Sequence, residues 1–221
     1  MFISTMFQGS LVSRVAGLSL SVACLGLVGC DKKTEPTAEV VEAQVAQPAA
    51  AAPAADGTEL AFDQSSGKLE FVGAKITDSH PGRFETFSGK IRLNSENLEQ
   101  SSVKLDIDIA SMQIEPDKLK KHLLSEDFFT ADKFPKATFE STSIKAGGAA
   151  GATHTITGNL TLRGTQKSIT FPATISATDA GVAAKAEFAI NRKDFGIVYP
   201  GMPDDLIKDD VVIRFDLNVK K

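Results

Sequence analysis

The residues of this chain that could carry chemistry are few and scattered. His80, His122 and His154 are its only histidines; they fall in three separate segments, and none sits in a metal-ligand pattern of the usual kind. Ser125 follows His122 by three residues, but the sequence supplies neither a nucleophile elbow nor a third group to orient the pair, so a hydrolase is disfavoured. Asp204-Asp205 and Asp209-Asp210 flank a short apolar patch without the ligand spacing of a calcium loop, and they read as solvated loops. The chain is therefore expected to need no metal and no cofactor, and not to be an enzyme.

Chemistry of another kind is written at the N-terminus. The two cysteines, Cys24 and Cys30, both precede the folded part, which leaves that part without a disulfide or a thiolate metal site. Residues 1–29 carry one positive side chain, Arg14, ahead of an apolar run from Val15 to Val28. That run is about 21 Å long as a helix, short of the ~30 Å hydrocarbon core, so it reads as a signal peptide. Its end, Leu27-Val28-Gly29-Cys30, resembles a bacterial lipobox, in which the cysteine is acylated and becomes the new N-terminus. Acyl chains at ~0.8 kcal/mol per buried CH₂ would hold the mature protein on a membrane, facing the periplasm. Asp31 resembles the signal for retention in the inner membrane. Residues 30–57 turn to Ala, Pro, Glu, Gln, Thr and Val without periodicity, the composition of a disordered tether reaching roughly 30 Å.

The rest, residues 58–221, is enough for one domain with a sizeable core. The formal net charge of the chain is −4 and its bases are interspersed with acids, which argues against nucleic acid as a partner. Hydrophobic residues alternate with a period of two, most clearly where Val103, Leu105, Ile107 and Ile109 face away from Lys104, Asp106 and Asp108. Segments of this kind run over 68–76, 88–94, 102–110, 137–145, 153–163, 167–176, 182–190 and 211–219, parted by turn signals such as Arg163-Gly164-Thr165-Gln166. Eight one-sided antiparallel strands predict an all-β fold, and closed into a barrel they could hold one small ligand. Ala184 and Ala186 share parity with Val182, Phe188 and Ile190, and Ser141 and Ser143 with Phe139, so small groups line part of the interior. Parity alone does not separate a hollow from a space filled by larger residues opposite.

One stretch breaks the alternation. Pro116 pre-sets a helix in which Asp117 and Lys121 sit at i and i+4 and Leu119 and Leu123 share a face; Ser125 is placed to start a second short turn. Phe128, Phe129 and Phe134 follow, so a short helical insert is expected to lie over one end of the barrel as a lid.

Three blocks then carry a family resemblance. His122-Leu123-Leu124-Ser125-Glu126-Asp127-Phe128-Phe129 with Phe134-Pro135, Gly158-Asn159-Leu160-Thr161-Leu162-Arg163-Gly164-Thr165, and Ile190-Asn191-Arg192-Lys193-Asp194-Phe195-Gly196 closely resemble, in order and spacing, the YceI-like family. The resemblance implies an extended lipocalin-like barrel whose apolar pocket binds a polyisoprenoid or isoprenoid-tailed quinone, usually in a bacterial periplasm. Phe71-Val72-Gly73-Ala74-Lys75 and Ser79-His80-Pro81-Gly82 depart from the commonest form of the family, which leaves the ligand identity open. Candidate pocket residues on the early strands are Leu69, Phe71, Leu105 and Ile107; the lid adds Phe128 and Phe129. The later strands add Phe139, Leu160, Phe171 and Phe188, and the last one Ile213 and Phe215. Shared membership of the family blocks also suggests that Arg192 pairs with Asp127 to fasten the lid. The expected function is a membrane-anchored carrier or scavenger of a long apolar lipid. The alternative is an envelope stress or structural protein with a packed barrel that works through protein partners. A dimer is left open.

Overall fold

The computed structural model describes residues 40–41, 44–45, 57–178 and 180–221. The expected signal peptide, Cys30 and most of the expected tether lie outside the described residues. Within 30–57, however, Val40–Val41 and Gln44–Val45 are two-residue strands paired to the domain, where a disordered tether was expected.

The chain enters the domain through β1 (Thr58–Asp63) and β2 (Gly67–Ala74). A bent strand follows as β3 (Ser79–Phe84) and β4 (Phe87–Leu93), then a second as β5 (Ser102–Asp108) and β6 (Met112–Ile114). The single α-helix among the described residues, α1 (Asp117–Leu124), leads to β7 (Lys136–Ala146), β8 (His154–Leu162), β9 (Thr165–Thr178), β10 (Gly181–Asn191) and β11 (Asp210–Lys220). Hydrogen-bonded neighbours run β1-β4-β5-β7-β8-β9-β10-β11-β2-β3-β6, antiparallel throughout. Because β3 continues into β4, the ladder returns to the strand it left. The eight segments that the alternation predicted are all strands of this curled, barrel-like sheet, and β1, β3 and β6 are additional to them.

The strand β3 went unrecognised in the sequence because Pro81-Gly82 reads as a turn. In the structure Pro81 pairs with Val72 and Gly82 with Phe71. The two bends have local causes. Glu85 and Thr86 break the first strand, and Glu85 and Thr86 both bond back to Ser111. The second strand breaks at a 3-10 turn, Ile109–Ser111, whose N-cap carboxylate Asp108 accepts from the Ala110 N–H at 2.9 Å.

The β8–β9 connection is a two-residue hairpin with Leu162 opposite Thr165, and Arg163 and Gly164 at φ 51° and 74°. These positive angles are those of a type I′ turn, which matches the twist of the flanking strands. The core lines the inside of the barrel, with Phe195, Ile109, Ile169 and Val219 among its most deeply buried side chains.

Candidate functional site

The inward faces of the strands do not meet at the axis. They enclose a cavity of about 210 Å³ that runs most of the length of the barrel, from Phe84, Phe129 and Ile197 at the lid end to Leu93, Leu98 and Leu217 at the other. Its wall is apolar almost throughout. Among the residues expected there, Leu69, Phe71, Leu105 and Ile107 line it, as do Phe129, Phe139, Leu160 and Phe171, and Phe188, Ile213 and Phe215. Phe128 does not. It is buried beside the cavity, its ring 5.0 Å from His122 and 5.3 Å from Tyr199.

The hollow exists because several inward positions carry no side chain. Gly82, Gly89 and Gly158 point inward, and each is covered by an aromatic ring from the neighbouring strand: Phe71, Phe62 and Phe139 respectively. A Cβ on any of the three would come within 2.3 Å of that ring. Glycine lets the ring lie flat on the wall instead of reaching across the lumen. Ala184 contributes to the same thinning and lines the cavity, as expected from its parity, whereas Ala186, expected beside it, is not on the cavity wall.

The serine wall is corrected. Between Ser141, which pairs with Gly158, and Ser143, which pairs with Thr157, the strand carries one extra residue, Thr142. This bulge inverts the parity beyond it, so that Ile144, not Ser143, lines the cavity. The Ser141 hydroxyl accepts from the Val103 N–H at 2.9 Å. Phe62, Phe84, Phe87 and Ile144 also line the cavity and were not among the sequence candidates. The period-two run Phe87, Gly89, Ile91, Leu93 held the signal for Phe87.

The lid forms as a helix followed by hydrogen-bonded turns. Pro116 is the N-cap of α1, and Ser125 is its C-cap, where the start of a second helical turn was expected. The Ser125 carbonyl accepts from the N–H groups of Phe128 and Thr130, which coils the chain back so that Phe129 faces the cavity. Phe134 rests on Gly164, where a Cβ would stand 2.5 Å from its ring.

The fastening expected between Arg192 and Asp127 is not the one formed. Arg192 is 4% exposed and donates to the carbonyls of Ile197 (2.7 Å), Lys208 (3.1 Å) and Ile207 (3.4 Å), and to Asp209 Oδ1 (3.1 Å). It ties together the two ends of the 198–206 excursion. Asp127 lies 3.1 Å from His122 Nε2 on the lid itself. Arg163 holds the lid instead. Its guanidinium donates to Thr130 Oγ1 at 3.3 Å, to the Glu126 carbonyl at 3.0 Å and to the Gly196 carbonyl. Sequence reasoning missed this residue because it bonds chiefly to main-chain oxygens, which leave no charge pattern to find.

The remaining polar groups are committed to structure. Ser125 donates its hydroxyl to the His122 carbonyl at 2.7 Å, and the His122 ring is wedged edge-on between Phe128 and Tyr199. At the base of the 198–206 excursion, Asp205 pairs with Lys75 and accepts from the Thr77 N–H and hydroxyl. The hydrogen bond from Lys75 holds the Asp205 carboxyl below the usual aspartate range, and the same bond raises the Lys75 ammonium. Among the described residues, no three His, Cys, Asp or Glu side chains converge as a metal site.

Relatives of known sequence and structure share this architecture. The family model for the YceI-like domain matches residues 60–219. A UPF0312 protein of Pseudomonas putida strain W619 is 33% identical over 160 residues, which cover 67% of this chain and 81% of that protein. The crystal structure of Burkholderia cenocepacia BcnA superposes with a TM-score of 0.62 at 26% identity, covering 70% of this chain and 97% of that one. A polyisoprenoid binding domain from Saccharophagus degradans shares the fold with a TM-score of 0.58 at 16% identity, covering 74% and 98%. With its curled antiparallel sheet, apolar lumen and matching sequence over nearly the whole domain, the chain belongs to the YceI-like family.

Proposed function

We propose that this protein binds a long apolar lipid, of the polyisoprenoid or isoprenoid-quinone class, inside the barrel and carries or scavenges it without catalysis. The observation that carries this reading is the cavity itself: about 210 Å³ of space walled by aliphatic and phenylalanine side chains from every strand of the ring. Packed interiors hold few voids larger than a water molecule, so a hollow of this size is a feature of the fold rather than a packing flaw. Each CH₂ buried there contributes up to ~0.8 kcal/mol before the costs of association are subtracted. The polyisoprenoid-binding description of the Saccharophagus degradans domain, which shares the fold, agrees with this chemistry. With a lining that is apolar almost throughout, recognition rests on shape and dryness, which suits a hydrocarbon tail.

The anchoring is part of the same proposal. Acylation of Cys30 places the barrel in the bacterial envelope on a periplasmic leash, with Asp31 favouring the inner membrane. Native mass spectrometry and organic extraction of the gently purified full chain test the reading. A stoichiometric apolar molecule is expected; its repeated absence would favour a barrel that acts only through protein partners.

A further inference from the structure

The barrel wall has one seam that its own strands do not close. β9 and β10 pair only next to their hairpin, from Thr174 opposite Lys185 to Thr178 opposite Gly181. Beyond that point each strand continues with its outer edge occupied. Residues 165–173 of β9 pair with β8, and 186–191 of β10 pair with β11. The facing edges part. Pro172, two residues before the last pair, has no N–H to offer a ladder on either side.

The chain's own N-terminal segment fills the seam. Val40 and Val41 pair in parallel with Ala189 and Ile190, while Gln44 and Val45 pair antiparallel with Ser168 and Lys167. A strand seated between two others sets them about 9–10 Å apart, twice the spacing of direct neighbours. On the inner side, the seam is closed by the Phe171 and Phe188 rings, stacked 4.1 Å apart within 8° of parallel. Phe171, Phe188, Ile169 and Ile190 all line the cavity, so the seam opens straight onto it. The outer closure is weak. It rests on two residue pairs to each strand, and Val45 is 83% exposed, so little apolar area holds it down.

We propose that the seam between β9 and β10 is the side entrance through which a hydrocarbon chain enters the barrel, and that the paired residues Val40–Val41 and Gln44–Val45 form a strap across it. The strap lifts for loading and pairs again for retention. The inference rests on the lipid-binding reading. It explains why the strap belongs to the tether. Val40 is ten residues from Cys30, at most about 35 Å of extended chain, so an acylated Cys30 keeps the entrance within reach of the bilayer that supplies the lipid.

The test uses the full chain on phosphatidylcholine vesicles and follows uptake and release of a tritiated polyprenol. Val45 and Lys167 are directly opposed, so V45C with K167C places two thiols where a disulfide can bridge strap to β9. Oxidised, this variant is expected to exchange the polyprenol at least about tenfold more slowly than after reduction, with the amount bound at equilibrium unchanged. The converse variant, V41P with Q44P, removes strap N–H groups and is expected to speed both uptake and release. It replaces no residue of the cavity wall, and the strands of the barrel keep their own ladders, so loss of the fold is not its expected effect. Exchange indifferent to the cross-link, in a chain that does bind polyprenol, overturns the side entrance and leaves lipid binding standing. A wild-type chain that takes up no polyprenol overturns the lipid-binding reading, and the entrance with it.

Discussion

The rings of Phe171 and Phe188 lie face to face, 4.1 Å apart, at a level where the strands that carry them share no ladder pairs. Side-chain stacking thus spans a break in the main-chain hydrogen bonding. Phe171 also meets Phe139 at 5.6 Å and Phe215 edge-on at 6.1 Å, which makes it the centre of an aromatic belt around the lumen. Such ring pairs contribute about 0.5–1.5 kcal/mol beyond their area burial. The belt therefore keeps the wall continuous without filling the hollow.

Arg192 should behave differently from Asp127. Arg192→Ala strips donors from three carbonyls and from Asp209, and is expected to cost at least about 3 kcal/mol. Asp127→Asn alters an exposed contact with His122 and should change stability by less than about 0.5 kcal/mol. Urea denaturation of the two variants decides the matter. Equal losses in both would restore a fastening role to Asp127.

Gly158→Ala tests the flat-ring account of the hollow. The new methyl would stand 2.3 Å from the Phe139 ring and 2.6 Å from the Glu140 carbonyl, so the ring must swing into the lumen. A loss of about 1–3 kcal/mol is expected, together with weaker uptake of apolar ligand. Thermal melting and a binding titration read the two effects separately.

Acid should loosen the base of the 198–206 excursion before the barrel. The folded-state pKa of Asp205 lies below its unfolded value, chiefly through the Lys75 hydrogen bond. Its contribution is therefore present above the unfolded aspartate value and is lost as pH falls through the lower folded one, a window below about pH 4. For Lys75, whose folded value is raised, the same pair is lost only as pH rises through that value, above about pH 10. Amide-exchange protection of Thr77, whose N–H donates to Asp205, should fall across the acid window in the native protein. In Asp205→Asn it should already be low and should not vary with pH.

The alternation of Val103, Leu105, Ile107 and Ile109 was enough to read one face of a half-buried strand, and the same rule located most of the barrel. It failed where a single residue is inserted or a turn signal sits inside a strand. The bulge at Thr142 exchanges Ser143 for Ile144 on the wall, and no local propensity announces it. Pro81-Gly82 has turn chemistry but lies in a ladder, because Gly82 is needed beneath the Phe71 ring. Pro172, which has no N–H to give a ladder, lies inside the 167–176 segment and was not read as the mark of a strand edge without a direct neighbour. The partners of Arg163 and Arg192 were hidden for another reason: main-chain carbonyls brought together only by the fold carry no sequence signature.

The central claim is that the lumen is kept empty for an apolar guest. Equilibrium uptake of a tritiated polyprenol by the full chain, with the native residue and with Ala184→Phe, tests it most directly, since Ala184 lines the cavity and a phenyl group there occupies it. The account predicts saturable uptake of about one molecule per chain that falls at least about tenfold in the filled variant, whose melting temperature holds or rises. Uptake that is absent in the native chain, or unchanged when the lumen is filled, would contradict it.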